Sequence, residues 1–140
     1  MENISINFLV HELKKTFPDG SPISRISLRK SFLEWRLGRR SLVFSLLPRS
    51  APFFLSESKA PGEPISTSDI NVLRKYLDNG RLTIVEKPVD ERIIRFTVEK
   101  TAIWGERVAI QFIVNAGRVP TSWTITDAED RILWSRNEPS

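Results

Sequence analysis

The chain has 140 residues with no Cys, one His and one Met, a length that suits one domain burying about two-thirds of its unfolded surface. A disulfide framework, a thiol nucleophile and a Cys-ligated metal site are excluded, a two-His metal site cannot form within one copy, and a Ser-His-Asp triad would have to use His11. Residues 1–50 carry nine Lys/Arg against four Asp/Glu, the rest of the chain is nearly balanced, and 14 Arg outnumber seven Lys within a formal net charge of +4.

Arg suits planar phosphate recognition better than Lys does, so a basic first third hints at an acidic partner, nucleic acid being the usual one. The bland alternative is a basic domain whose arginines sit on solvated strand faces. No apolar run approaches the roughly 18–20 residues of a membrane span, and the start of the chain lacks the basic region and continuous apolar core of a signal peptide. A soluble, cytoplasmic domain without a membrane or metal partner is expected.

Ile6, Leu9, Val10, Leu13 and Phe17 follow the i, i+3, i+4, i+7 spacing of a helix, with His11, Glu12, Lys14 and Lys15 outward. Pro18-Asp19-Gly20 stops it. Strand-like stretches follow over residues 23–28, 32–37, 41–47 and 52–56. In the second of these, Trp35 and Leu37 alternate with Glu34 and Arg36 as in a half-buried strand. Gly38-Arg39-Arg40 reads as a hairpin tip exposing two arginines, and residues 57–64 as a Pro/Gly/Ser-rich surface loop.

A second helix begins at Ser66, where Ser66-Thr67-Ser68-Asp69 fits a capping box and Ile70, Leu73 and Leu77 make an apolar stripe. Asn79-Gly80 closes it, with Gly80 suited to the left-handed position. Strands follow over residues 82–85, 92–100 and 107–114, where Ile94, Phe96 and Val98 share one face, as do Val108, Ile110 and Phe112. Residues 123–126 and 131–134 flank a tight turn at Asp127-Ala128-Glu129-Asp130. About nine strands and two helices, without βαβ alternation, predict an α+β domain built on an antiparallel β-sandwich or barrel. It is expected to fill residues 1–136, with 137–140 as a frayed tail.

The run Leu73-Arg74-Lys75-Tyr76-Leu77-Asp78-Asn79-Gly80-Arg81-Leu82, then Glu86 and Glu91-Arg92-Ile93-Ile94, resembles the N-terminal domain of the NFACT family. These are the fibronectin-binding protein A-like proteins, the ribosome quality-control tailing factors. Val10-His11-Glu12-Leu13 is similar to the family's first helix and Ile23-Ser24-Arg25-Ile26 to its next strand. Ser45 and Pro48 match an S-x-x-P step, Ala116-Gly117-Arg118 resembles its Met-Gly-Arg, and Asp130-Arg131-Ile132-Leu133 its closing hairpin. The resemblance covers most of this chain but only the first half of the family's N-terminal domain.

The departures are specific. Glu91-Arg92 stands where the family has Asp-Arg, Phe54-Leu55-Ser56 replaces His-Leu-Thr, Ser66-Thr67 replaces Pro-Pro, and Val119-Pro120-Thr121 replaces His-Ser-Asn. The resemblance implies a β-sandwich flanked by helices, akin to the N-terminal domain of formamidopyrimidine-DNA glycosylases. Those enzymes attack with an N-terminal proline, and residue 2 here is Glu, so glycosylase chemistry has no nucleophile.

By the resemblance, the family's Asp-Arg pair engages tRNA, and that role carries to Glu91 and Arg92. The implied function is a non-catalytic module that contacts tRNA or large ribosomal subunit RNA, needs no cofactor and is not an enzyme. Arg36, Arg39, Arg40 and Arg118 complete the candidate RNA-binding set. Each has a plainer reading: Glu91-Arg92 as a surface ion pair, and the hairpin arginines as protection of a strand edge. Lys14, Lys15, Arg29 and Lys30 would extend one basic face. Trp104 beside Gly105 would stack on a base or cap the core, whereas Trp35, Trp123 and Trp134 belong in the core. His11 points away from the apolar stripe, and Gly38, Gly105 and Gly117 make no phosphate loop. The alternative to RNA binding is a protein-interaction scaffold that relies on a protein partner.

Overall fold

A computed structural model of the chain describes residues 3–47, 51–58, 62–88, 91–101, 104–117 and 121–137. Helix α1 (Asn3–Thr16) leads into strands β1 (Ser21–Pro22), β2 (Arg25–Leu28), β3 (Phe32–Leu37), β4 (Arg40–Ser45) and β5 (Phe53–Ser56). Helix α2 (Ser68–Leu77) follows, and then β6 (Arg81–Glu86), β7 (Ile93–Thr101), β8 (Arg107–Asn115), β9 (Ser122–Thr126) and β10 (Ile132–Asn137). The strands form two antiparallel sheets, one ordered β1-β6-β7-β8-β9-β10 and the other β2-β3-β4-β5. The α+β sandwich expected from the sequence is the observed architecture.

Alternation places one large side chain after another between the sheets. Leu33, Trp35 and Leu37 on β3 and Phe44 on β4 are fully buried, as are Phe96 and Phe112 on β7 and β8 and Trp123 on β9. Rings from the two sheets meet edge to face, with centroids 4.7 Å apart for Phe44 and Phe112 and 5.1 Å for Trp35 and Phe112. That is the favoured geometry for aromatic pairs.

The helices close the two open sides of the sandwich. Ile6, Val10 and Leu13 are buried beneath α1, which touches β5 of one sheet and β6 of the other. Helix α2 buries Ile70, Leu73 and Leu77 and packs on β2, while its Asp69 accepts a hydrogen bond from Trp134 on β10.

Four local expectations are corrected. The N-cap of α2 is Thr67, with no side-chain capping bond; the Asp69 carboxylate that would have joined a capping box is engaged with β10 instead. The left-handed residue after α2 is Asn79 (φ 63°) and not Gly80. Gly80 serves a different need, since a Cβ there would lie 2.5 Å from Val98 Cγ1. Glu34 is buried at 7% exposure where alternation predicted solvent, because Arg29 (5%) folds over it as an ion pair. Arg29 therefore does not contribute to an open basic face with Lys14, Lys15 and Lys30.

Gly20 and Gly38 both have positive φ, at 77° and 67°. Gly38 opens the two-residue turn between Leu37 and Arg40, the position a type II′ hairpin reserves for glycine. Strand β10 continues through Asn137, which pairs with Ser122; residues 138–140 lie outside the described set.

Candidate nucleic-acid interface

Glu91 and Arg92 immediately precede β7. The Arg92 carbonyl accepts the Ala116 N–H at 2.8 Å, so the segment before β7 and the segment after β8 are held side by side. Gly117 lies directly against Arg92, and a Cβ on Gly117 would stand 3.3 Å from Arg92 Cβ. The Gly117 N–H is held by Asn115 Oδ1 at 3.1 Å. Glu91 is exposed and Arg92 half-buried. Among the described residues they form no ion pair with each other, and Arg92 Nε is enclosed without a hydrogen-bond partner. The expected Glu91–Arg92 surface ion pair is not formed, and no described carboxylate neutralises Arg92. Arg118 lies outside the described residues, though Gly117, its chain neighbour, belongs to this end of the sheet.

Arg36, Arg39 and Arg40 belong to the other sheet and do not form one cluster. Arg40 pairs with Leu37 and Arg36 with Ser41, and opposed residues share a face, so Arg40 is on the core side and Arg36 on the outer side. Beyond the end of the core, Arg40 borders a cleft with Glu12 and Thr16 of α1. Arg39 is exposed at the turn. Arg36 instead joins Arg25, Ser27, Arg29, Glu34 and Ser41 in a polar group on the outer face of the sheet, described below. That group was missed by sequence reasoning; its one signal was a line of Ser, Glu and Arg at outward positions of consecutive strands.

Trp104 is 74% exposed and donates its indole N–H to Glu106 at 2.9 Å, so it does not cap the core. Trp35 and Trp123 are fully buried, and Trp134 is half-buried against the core. His11 is exposed.

Among the described residues the one displaced carboxyl is in the β9–β10 turn. Burial pushes Asp127 up, but hydrogen bonds from Arg131 and from the Glu129 N–H outweigh it and hold the carboxyl below the usual aspartate range. The same contact raises the Arg131 guanidinium. Among the described residues no three His, Asp or Glu side chains converge as metal ligands would, and no helix is long and apolar enough to cross a membrane.

Compared by sequence, the chain matches no protein-family model and no curated protein. By fold it resembles the N-terminal domain of the fibronectin-binding protein PavA from Streptococcus pneumoniae, with a TM-score of 0.78 at 23% identity. It is also similar to the N-terminal part of the fibronectin/fibrinogen-binding protein from Streptococcus suis (0.77, 19%) and to a fibrinogen-binding protein from Staphylococcus aureus (0.75, 15%). The alignments cover 94%, 91% and 93% of this chain but only 54%, 51% and 47% of those proteins, in that order. The chain thus has the fold of the N-terminal domains of fibronectin- and fibrinogen-binding proteins and spans about half their length.

Proposed function

We propose that this chain is a non-catalytic RNA-binding module of the NFACT kind, contacting tRNA or large-subunit ribosomal RNA through the end of the six-stranded sheet at Glu91 and Arg92. One observation carries the reading. Arg92 is held by its backbone to Ala116 and lies with its stem against Gly117, yet among the described residues its guanidinium has no carboxylate partner and its Nε no acceptor. A positioned, unneutralised arginine is what a phosphate contact requires. The segment that resembles the NFACT motif, residues 73–94, runs through α2 and β6 to this point, and the likeness to fibronectin-binding N-terminal domains supports the same lineage. Arg118 follows Gly117 directly in sequence, and Glu91 would meet a ribose hydroxyl.

The test is equilibrium binding of labelled bulk tRNA at two salt concentrations, with Arg92→Ala alongside. Phosphate contacts release counterions, so affinity should fall steeply with salt and drop again on loss of Arg92. Salt-sensitive binding indifferent to Arg92 would place the contact elsewhere, and affinity indifferent to salt would remove the phosphate mechanism.

A second reading, a protein-interaction scaffold, is favoured by the names of the structural neighbours, which are fibronectin- and fibrinogen-binding proteins. The exposed apolar side chains Phe8, Ile84, Trp104 and Ile132 would serve such a role. Absence of any tRNA binding, together with self-association through these residues, would favour it.

A further inference from the structure

The outer face of the four-stranded sheet carries a polar site separate from Arg92. Its floor is a closed network. Arg29 donates through Nε to the Gly62 carbonyl at 3.0 Å, and through Nη1 to Ser27 Oγ at 2.7 Å and Glu34 Oε1 at 3.0 Å. The other Glu34 oxygen accepts the Ser41 hydroxyl. Arg29 and Glu34 are both more than nine-tenths buried, so the pair neutralises itself and its partners are satisfied, as a buried ion pair demands. The loop that supplies Gly62 is anchored at its exit by the Ile65 N–H on the Leu28 carbonyl, at 2.8 Å.

Above this floor opens a cavity of about 370 Å³, flanked by two further arginines. Arg25 and Arg36 stand directly opposite each other in the β2–β3 register, a position that brings side-chain stems to roughly 5 Å. Like charges placed so are destabilising. Among the described residues neither is ion-paired, and Arg36 reaches only the Ser41 hydroxyl, at 3.4 Å. Glu57, the second carboxylate on the cavity wall, is exposed on the loop and forms no ion pair with them. The sheet thus bears the cost of two opposed guanidiniums beside a cavity whose floor has spent its own negative charge.

We propose that Arg25 and Arg36 form a clamp for a phosphate group, carried either by a small phosphate monoester or by an RNA backbone. Two guanidinium forks converging on one tetrahedral anion match its oxygens in pairs, and the anion removes the repulsion between them. The cavity is at the small end of ligand sites, enough for the phosphate and a sugar- or nucleoside-sized body. The clamp does not rest on the RNA reading of Arg92.

The experiment titrates the protein with inorganic phosphate, adenosine 5′-monophosphate, adenosine and an RNA trinucleotide without terminal phosphates, followed by calorimetry. Adenosine 5′-monophosphate should bind where adenosine does not. Arg25→Ala or Arg36→Ala should weaken it about tenfold or more, the effect of losing a charge-assisted bond. Binding of the trinucleotide with the same dependence on Arg25 and Arg36 would assign the phosphate to a backbone. Absence of saturable binding by all the phosphate-bearing probes, or binding indifferent to both arginines, overturns the clamp. A second readout guards against misfolded variants. Without anions, Arg25→Ala should melt no lower than the wild type, because a repulsion is relieved. Phosphate should raise the wild-type midpoint and not that of the double variant; equal stabilisation of both would also overturn the proposal.

Discussion

The indole N–H of Trp134 donates to Asp69 Oδ1 at 2.9 Å, tying the first turn of α2 to the last strand. Arg136 adds a looser charge contact to the same carboxylate at 3.7 Å. Asp69→Ala should lower unfolding free energy by about 1 kcal/mol, because the side chain is partly exposed and the Trp134 N–H is left unpaired. Asp69→Asn keeps an acceptor and should recover most of that loss in urea denaturation. Equal losses in the two variants would show that the indole bond contributes nothing.

Gly20 and Gly38 look alike in backbone angle but differ in surroundings. A Cβ at Gly38 meets nothing within 4 Å, whereas one at Gly20 runs into the Leu82 carbonyl on β6. Gly38→Ala should cost only the left-handed penalty, about 1 kcal/mol. Gly20→Ala adds a backbone collision and should cost at least about 3 kcal/mol. Chemical denaturation of the two variants side by side decides it; equal losses would mean that the β1–β6 junction opens freely.

Gly117 offers a test of the RNA reading that leaves Arg92 in place. A methyl there presses on the Arg92 stem at 3.3 Å, a distance at which the neighbour must yield, while the backbone angle is not in the left-handed region. Gly117→Ala should therefore change stability by less than about 1 kcal/mol yet weaken tRNA binding several-fold. Unchanged affinity would mean that the setting of Arg92 does not matter to the ligand.

The β9–β10 turn should loosen in acid. The Asp127 carboxyl is held below its ordinary value by bonds from Arg131 and Glu129, so in the folded state it gives up its proton more readily than in the unfolded chain. Its contribution is fully present above the unfolded value near 4 and is lost as pH falls through the lower folded value. An NMR titration of the carboxyl should show a midpoint below that of a free aspartate, and Arg131→Ala should move it up. An unshifted midpoint in the wild type would contradict the geometry.

Helix α1, the β3–β4 hairpin and the apolar stripe of α2 were legible because each rests on a period that burial obeys. Ile6, Val10 and Leu13 on one side and Leu33, Trp35 and Leu37 on another leave few alternatives. Glu34 was misread because alternation says which face a residue takes, not whether a later loop will cover that face; the Arg29 bond to Gly62 closes over it from 33 residues away. Arg36 and Arg40 seemed one basic patch because they are close in sequence, yet the two-residue turn between Leu37 and Arg40 sends them to opposite faces. The Gly117 contact with Arg92 joins two loops on either side of a hairpin, and only the β7–β8 register brings them together.

Each sheet is almost wholly local in the chain. The four-stranded sheet is a meander from β2 to β5 and the larger one a meander from β6 to β10; only the two-residue β1 crosses over, pairing with β6 across about 60 residues. Short loop closures cost little entropy and form quickly. Docking of the two meanders along the aromatic seam of Trp35, Phe44, Phe96 and Phe112 should then be the slow step in folding, with the β1 stub fastened last. Substitutions in the Gly38-Arg39 turn should change the folding rate, and those at the β1–β6 junction chiefly the unfolding rate.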